Sequence, residues 1–226
     1  KPLFVPSPQA VVKKFIQIWN EGFTNTPFLE HVLISTFRVF GAFLLACAIG
    51  LPLGLAMGMS PLMRGIFDPP IEFYRPIPPL AYLPLIIIWF GIGETSKVLL
   101  IFLSVFAPIV LGARSGVKSA AIEQIHAAYS FGATRWQVMR HVILPSAMPE
   151  ILTAMRVGIG FGWTTLVAAE MVAATKGLGY MVLSASQFLQ TPVVIMGIFV
   201  IAIIAFGFDL LMRFLERRLV PWKGRM

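Results

Sequence analysis

Charge is scarce in this sequence: 12% of its 226 residues are Asp, Glu, Lys or Arg, about half of what a soluble domain carries. With 58% hydrophobic residues and a mean hydropathy of +0.83, a compact soluble domain of this length would leave more apolar surface in water than its core can bury. A soluble fold is excluded. Cysteine is nearly absent. Cys47 stands alone inside an apolar block, so no disulfide framework and no cysteine-based zinc site can form within the chain. Its role is that of a small apolar side chain. His31, His126 and His141 have no metal-ligand spacing, and no metal site is expected. A phosphate loop is also missing. GIGETSK, Gly91 to Lys97, fails the spacing of Gly, four residues, Gly-Lys-Ser/Thr. Gly158, Gly160 and Gly162 miss the dinucleotide fingerprint and follow no strand; with Ala154 they read as a small face for helix packing. No nucleophile and base stand out as an intramembrane enzyme would need, so catalytic residues are not expected.

What the chain does have is long apolar blocks, the mark of bilayer spans. The pattern predicts an all-α polytopic membrane bundle with five spans: about Val32 to Met59, a broken element over 69–92, Lys97 to Ala113, Ile151 to Ala174, and Pro192 to Met212. The first carries Ala46, Gly50, Gly54 and Gly58 at intervals of four, which lets another helix approach closely. In the second, Pro69, Pro70, Pro76, Pro78, Pro79 and Pro84 forbid a regular helix through most of the first half. Its unpaired backbone must be shielded by protein or line a water-filled path.

Residues 1–31 form a separate external segment, with membrane domain 32–226 following. Ser7 and Pro8 stand as N-cap and first helical residue, Val11, Phe15, Trp19 and Phe23 recur at helical spacing, and Gly22 marks a stop. The segment is amphipathic and too polar to span, so it should lie on a membrane surface or on neighbouring helices. The net charge of +8 is distributed as an orientation signal rather than a nucleic-acid footprint. Arg64, Arg114, Lys118, Arg135, Arg140, Arg213, Arg217, Arg218, Lys223 and Arg225 follow the first, third and fifth spans. Those ten are expected in the cytoplasm with the C-terminus, against Lys1, Lys13, Lys14, Lys97 and Lys176 outside.

The longest polar interval, residues 115–150, reads as a hairpin of two short helices. Ile122, Ile125 and Tyr129 share one face before Gly132, which suits a sharp bend. Trp136, Met139 and Arg140 follow, and the second helix should stop near Pro145. Four ionisable groups, Arg38, Arg156, Glu170 and Asp209, lie within or near spans, where such groups face protein or water. Arg156 and Glu170, fourteen residues apart on one helix, are separated by about 21 Å and cannot pair. Glu170 either lines the outer pathway or pairs with another span. Trp163, Thr164 and Thr165 offer groups to a substrate or to helix–helix hydrogen bonds. Glu72 and Arg75 are spaced for a local pair.

The stretch HAAYSFGATRWQVMRHVILP, His126 to Pro145, resembles the cytoplasmic signature of the permease subunits of ABC importers: Glu-Ala-Ala, three residues, Gly, nine residues, Ile, one residue, Leu-Pro. Ala127, Ala128, Gly132, Leu144 and Pro145 match, while His126 replaces Glu and Val142 replaces Ile. YRPIPPLAYLPLIIIWFGIGETSK, from Tyr74, and GWTTLVAAEMVAATKGLGYMV, from Gly162, are similar to the taurine, aliphatic sulfonate and nitrate branch, most of all to its taurine members. The resemblance covers almost the whole chain. It implies the type I importer fold, with one further span ahead of these five, as the absence of an initiating methionine also suggests. It also implies two permease copies, two cytoplasmic ATPase subunits that hold ATP and magnesium, and an external binding protein, periplasmic or lipid-anchored, all at a bacterial inner membrane. This chain would hold no cofactor. The coupling segment would comprise His126, Ala127, Ala128, Tyr129, Gly132, Ala133, Thr134, Arg135, Leu144 and Pro145. The competing expectation is an ion-coupled secondary transporter of small anions or zwitterions, which needs midplane carboxylates and often has an internal repeat. No repeat is visible, and Glu170 is the one serious candidate.

Overall fold

The computed structural model describes residues 6–222, which are helix, turn and loop apart from an isolated bridge between Phe23 and Thr26. Lys1, Lys223 and Arg225 of the orientation pattern lie outside them. The helices are α1 (Pro8–Glu21), α2 (Phe28–Met59), α3 (Pro61–Tyr74), α4 (Leu83–Phe90), α5 (Glu94–Val117), α6 (Ile122–Ser130), α7 (Arg135–Val138), α8 (Leu144–Ala173), α9 (Leu178–Gln187) and α10 (Thr191–Leu219). Among the described residues four helical stretches are long and apolar enough to cross a membrane: α2, α5, the run Arg135–Ala173 and α10. The sequence predicts five. The difference is the second element, where the prolines leave no span-length helix.

That element also differs in detail from expectation. Ser60 caps α3 through its side chain, with Pro61 in the first turn, and the helix continues through Pro69 and Pro70 to Tyr74. Two missing N–H groups weaken it without ending it, because α3 is held from outside. Arg114, in the last turns of α5, pairs with Asp68 and reaches Glu72 at 3.4 Å. The Tyr74 hydroxyl donates to the carbonyl of Leu103 at 3.5 Å. The break comes after Arg75, where Pro76, Pro78 and Pro79 cluster. A 3₁₀ turn at Pro79–Ala81 leads into α4, with Pro84 in its first turn.

The chain divides into two compact units. One comprises residues up to Ala42, Pro79–Ile101 and Phe161–Phe208. Its core joins Ile18 of α1 and Phe28 of α2 to Leu178, Met181 and Ala185 of α9 and Val193 and Met196 of α10. Ser7 caps α1 and Gly22 ends it, as predicted. The apolar face packs on neighbouring helices through Val11, Phe15 and Ile18. Trp19 stays exposed, and Ile18 is the buried anchor.

The other unit comprises Phe43–Pro78, Phe102–Gly160 and the residues from Asp209. Its packing follows from small residues. Gly50 of α2 faces Phe106, Ile109 and Val110 of α5, Gly54 faces Val110 and Ala113, and Gly58 faces Val117. Gly112 and Gly116 of α5 meet Ala154 and Ala147 of α8, and Gly158 meets Val105 and Ile109. Gly160, expected on the same small face, has open space beside it. Between helices in lipid there is no hydrophobic driving force, so close approach and dispersion carry the association.

The contact at Gly54 is the tightest of α2 against α5: a Cβ there would lie 2.4 Å from the carbonyl oxygen of Val110. Gly54→Ala should therefore cost about 1–3 kcal/mol by overpacking. Gly41→Ala, on the same helix with open space beside it, should cost nothing measurable. Thermal unfolding of the two purified variants in one detergent tests the difference; equal melting would contradict the packing.

Candidate functional site

Three polar residues on one face of α2, His31, Ser35 and Arg38, are buried. Their spacing of four and three places them in a row. The row binds the loop between α8 and α9, within one compact unit. Gly177 donates its N–H to His31 Nδ1 at 3.0 Å. With Nδ1 accepting, Nε2 carries the proton and donates to the carbonyl of Phe23 at 3.3 Å. Ser35 Oγ accepts from the N–H of Leu178 at 2.8 Å and donates to the Glu170 carboxylate at 2.7 Å. Arg38 Nη1 donates to Glu170 Oε1 at 2.7 Å and to the carbonyl of Lys176 at 2.8 Å.

Glu170, near the end of α8, is completely buried. Besides Arg38 and Ser35 it accepts the N–H of Gly179 at 2.8 Å. The loop comes so close that a Cβ on Gly177 would lie 2.4 Å from the Glu170 carboxyl carbon, and its φ of +129° is one that side chains rarely adopt. The guanidinium of Arg38 also forks onto Glu94 at the start of α5, with Nε 2.6 Å from Oε2. Lys97 Nζ adds 2.9 Å to the same carboxylate. Two carboxylates and two cations thus compensate one another: Arg38, Lys97 and Glu170 are buried, as such charges are only when paired, and Glu94 stands at the exposed edge. Every group in the cluster is committed to a structural bond, and the cluster acts as a clamp. Among the described residues no group of three or more His, Cys, Asp or Glu is placed to hold a metal ion.

The polar hairpin is the second site. Helix α6 buries none of its residues. It ends in a Schellman turn: Ala133 donates to the carbonyl of Ala128 at 3.1 Å and Gly132 to that of Tyr129 at 2.9 Å, with Gly132 at φ +82°. This is the conformation that glycine enters without a Cβ penalty. Thr134 caps α7 in a capping box with Gln137, its N–H donating to Gln137 Oε1 at 2.7 Å. Two reciprocal caps therefore fix a bend that leaves large apolar groups in the open: Phe131 is 92% exposed and Trp136 69%. Tyr129 and Ile122 are exposed as well. The hairpin thus carries four large exposed apolar side chains on an otherwise polar segment.

Residues 50–221 match the family described as binding-protein-dependent transport system inner membrane component. The chain belongs to that family. The permease is 56% identical to the taurine transport system permease protein TauC of Escherichia coli over 226 residues, all of this chain and 82% of that protein. It is 35% identical to the putative aliphatic sulfonates transport permease protein SsuC of Bacillus subtilis over 97% of this chain and 78% of that protein. It is 34% identical to the riboflavin transport system permease protein RibX of Chloroflexus aurantiacus over 99% and 82%. A subunit of the MetNI methionine ABC transporter, solved in inward-facing conformations, matches with a TM-score of 0.69 at 20% identity, over 85% of this chain and 94% of that one. That likeness establishes the helical fold.

The permease departs from expectation beyond the hairpin bend. Its second arm does not stop near Pro145: Arg135–Ala173 is one continuous helical run, with a π turn at Met139–Ile143. The wide turn, closed by the N–H of Leu144 on the carbonyl of Met139, loosens the helix just before the proline. The ring is thereby accommodated where a regular α-turn would press it on the carbonyl four residues back. Of the residues in the matching segment, His126, Ala127, Tyr129, Gly132, Thr134 and Arg135 are exposed, and Ala128, Ala133, Leu144 and Pro145 are half-buried. Glu72 and Arg75 form their local pair at 3.4 Å. Arg156 pairs with Glu216 at 3.4 Å and not with Glu170. Trp163 and Thr165 are buried and Thr164 is exposed. The indole Nε1 of Trp163 is buried with no acceptor among the described residues.

Sequence reasoning missed Ser35 and set His31 aside. The signal was present in the spacing of 31, 35 and 38 inside an otherwise apolar helix. Because Glu170 compensates a buried guanidinium, Glu170→Ala should destabilise the fold by about 3–5 kcal/mol. The double variant Arg38→Met with Glu170→Leu should lose clearly less than the sum of the two single changes. Chemical unfolding of the four proteins in detergent gives the coupling; strict additivity would remove the pair from its central place.

Proposed function

We propose that the chain is the permease subunit of an ATP-driven importer for taurine or a related small sulfonate, forming the gated pathway and drawing its drive from partner ATPases. The observation that carries the substrate is the 56% identity to the taurine permease across the whole chain. At about 35% the relatives already include sulfonate and riboflavin permeases, so similarity at that lower level would leave the cargo open. The working unit is two copies of this chain, two cytoplasmic ATPase subunits carrying ATP and magnesium, and an external binding protein, periplasmic or lipid-anchored, at a bacterial inner membrane.

His126, Ala127, Ala128, Tyr129, Gly132, Ala133, Thr134 and Arg135, with Leu144 and Pro145 behind them, form the coupling segment, and the neighbouring exposed Phe131 and Trp136 add anchors for an ATPase groove. Trp163, Thr164 and Thr165 flank the pathway. The unpartnered indole N–H of Trp163 supports this, as a donor for a sulfonate oxygen. Glu170 was a candidate for the pathway too; its commitment to Arg38 favours a role in holding the frame. The same commitment weighs against ion-coupled transport, which needs a carboxylate free to bind and release its ion.

The broken element over 61–90 makes a fifth passage. Its support is the parallel pairing of α2 and α5, where Gly50, Gly54 and Gly58 meet Ile109, Val110 and Val117 in rising order. Two parallel neighbours need a returning chain between them. With five passages the basic ends fall on one side, so the hairpin and the C-terminus are cytoplasmic. In a Cys47→Ala background, Lys14→Cys should react with an impermeant thiol reagent in intact spheroplasts, and Glu123→Cys only after permeabilisation. The reverse pattern would overturn the topology.

For the coupling assignment the test is Gly132→Asp in the full complex reconstituted in vesicles with binding protein. A side chain at φ +82° distorts the bend, while the spans are untouched. ATP-driven taurine uptake should fall at least about tenfold, from a loss of coupling worth about 1.4 kcal/mol or more, with membrane insertion unchanged. Full uptake would leave the segment an ordinary surface hairpin.

A further inference from the structure

At the end of α10 three guanidinium groups gather around a pocket of about 360 Å³ lined by Arg156, Arg213, Glu216, Arg217, Val220 and Pro221. The carboxylates nearby are already shared. Arg156 takes Glu216 at 3.4 Å and Asp209 at 3.9 Å, and Arg213 takes Asp209 at 2.6 Å. Arg217 has no ion-pair or hydrogen-bond partner among the described residues. Three cations against two carboxylates leave the pocket one positive charge in excess. Its neighbour Arg218 is turned to another use, its guanidinium lying over the Phe214 ring at 5.4 Å.

The surroundings say what kind of anion fits. Helix α10 is the least buried of the four span-length stretches. On this one helix the exposed side chains preceding Arg213 and Arg217 at spacings of three and four are Leu210, Phe206, Ile203 and Phe199, which is one face. An apolar stripe thus ends in two arginines. Trp222, just past the pocket-lining Pro221, is of the type enriched at the membrane–water boundary. Arginines at such a level present planar forks that match phosphate oxygens two at a time.

We propose that this pocket holds the phosphate of an anionic glycerophospholipid, Arg217 and Arg213 bonding the phosphodiester while the acyl chains lie along the exposed face of α10. A basic pocket between helices at a membrane boundary is a suitable lipid-headgroup site on electrostatic grounds. A zwitterionic lipid carries the same phosphate but brings an ammonium toward three guanidinium groups, and should be disfavoured. The inference stands on the membrane reading of α10 and does not depend on the transported substrate.

The test is lipid retention by the purified full-length chain, counted by native mass spectrometry during titration with phosphatidylglycerol or phosphatidylethanolamine. Phosphatidylglycerol should be retained at one saturable site, and Arg217→Gln should weaken it about tenfold, one charge-assisted fork being lost. Arg218→Gln should change it less than about twofold. Because Arg217 is unpaired, its variant should melt at the parent temperature in lipid-free detergent, which separates lost binding from lost folding. Equal retention of the two lipids, or equal retention by Arg217→Gln and the parent, would overturn the proposal. Inorganic phosphate displacing the lipid at equal concentration would also overturn it, making the pocket a site for soluble anions.

Discussion

A guanidinium buried in an apolar helix cannot be left uncompensated, and the pairing of Arg38 with Glu170 answers that demand. The cost of desolvating both groups is several kcal/mol per ion, which their attraction offsets only with good geometry and additional hydrogen bonds. Here the additional bonds come from Ser35, Gly179 and the carbonyl of Lys176. Those partners sit on α2, in the loop joining α8 to α9 and in the first turn of α9, while Glu94 brings in α5. One electrostatic requirement therefore fixes the mutual placement of segments far apart in sequence. A leucine pair of similar volume would pack without that directionality. The ion pair specifies one arrangement, because every alternative leaves a charge bare.

The other compact unit reaches definition by the opposite means. Among its described residues no charged side chain is fully buried, and small residues bring α2, α5 and α8 together. Helix α5 is used on two faces, receiving the glycines of α2 on Val110, Ala113 and Val117 and presenting its own Gly112 and Gly116 to α8. Backbone-to-backbone approach gives many short contacts that vary steeply with distance. Both devices suit an environment in which hydrophobic burial does not distinguish protein from lipid.

Much of this was legible in the residues. The apolar blocks marked the spans because length and hydropathy alone decide whether a helix can cross. The Gly50, Gly54, Gly58 series announced a close neighbour, and Gly132 announced a bend. What was hidden depended on neighbours distant in sequence. Proline at 69, 70 and 145 argued for breaks, yet α3 is braced by Arg114, and the π turn before Pro145 gives the ring room. Arg38 and Glu170 were visible as out-of-place charges, but nothing local paired residues 132 positions apart. His31 and Ser35 were read singly, and only their common face, seen with Gly177 and Leu178 against it, reveals a row.

The π turn at Met139–Ile143 has an implication for how such a chain can vary over time. A π turn is what one extra residue produces when a helix absorbs it without unravelling. Each residue in a regular helix adds about 100° of rotation and 1.5 Å of rise. The turn therefore sets a phase between the exposed hairpin and the rest of Arg135–Ala173. Loss of a single codon within these five residues would close the wide turn to an α-turn and leave Trp136 facing nearly as before, whereas loss of one in the regular helix beyond it would swing Trp136 by about 100°. In this segment the count of residues is therefore under weaker constraint than in the regular helix that follows, and descendants of such a sequence should lose a residue here before they lose one there.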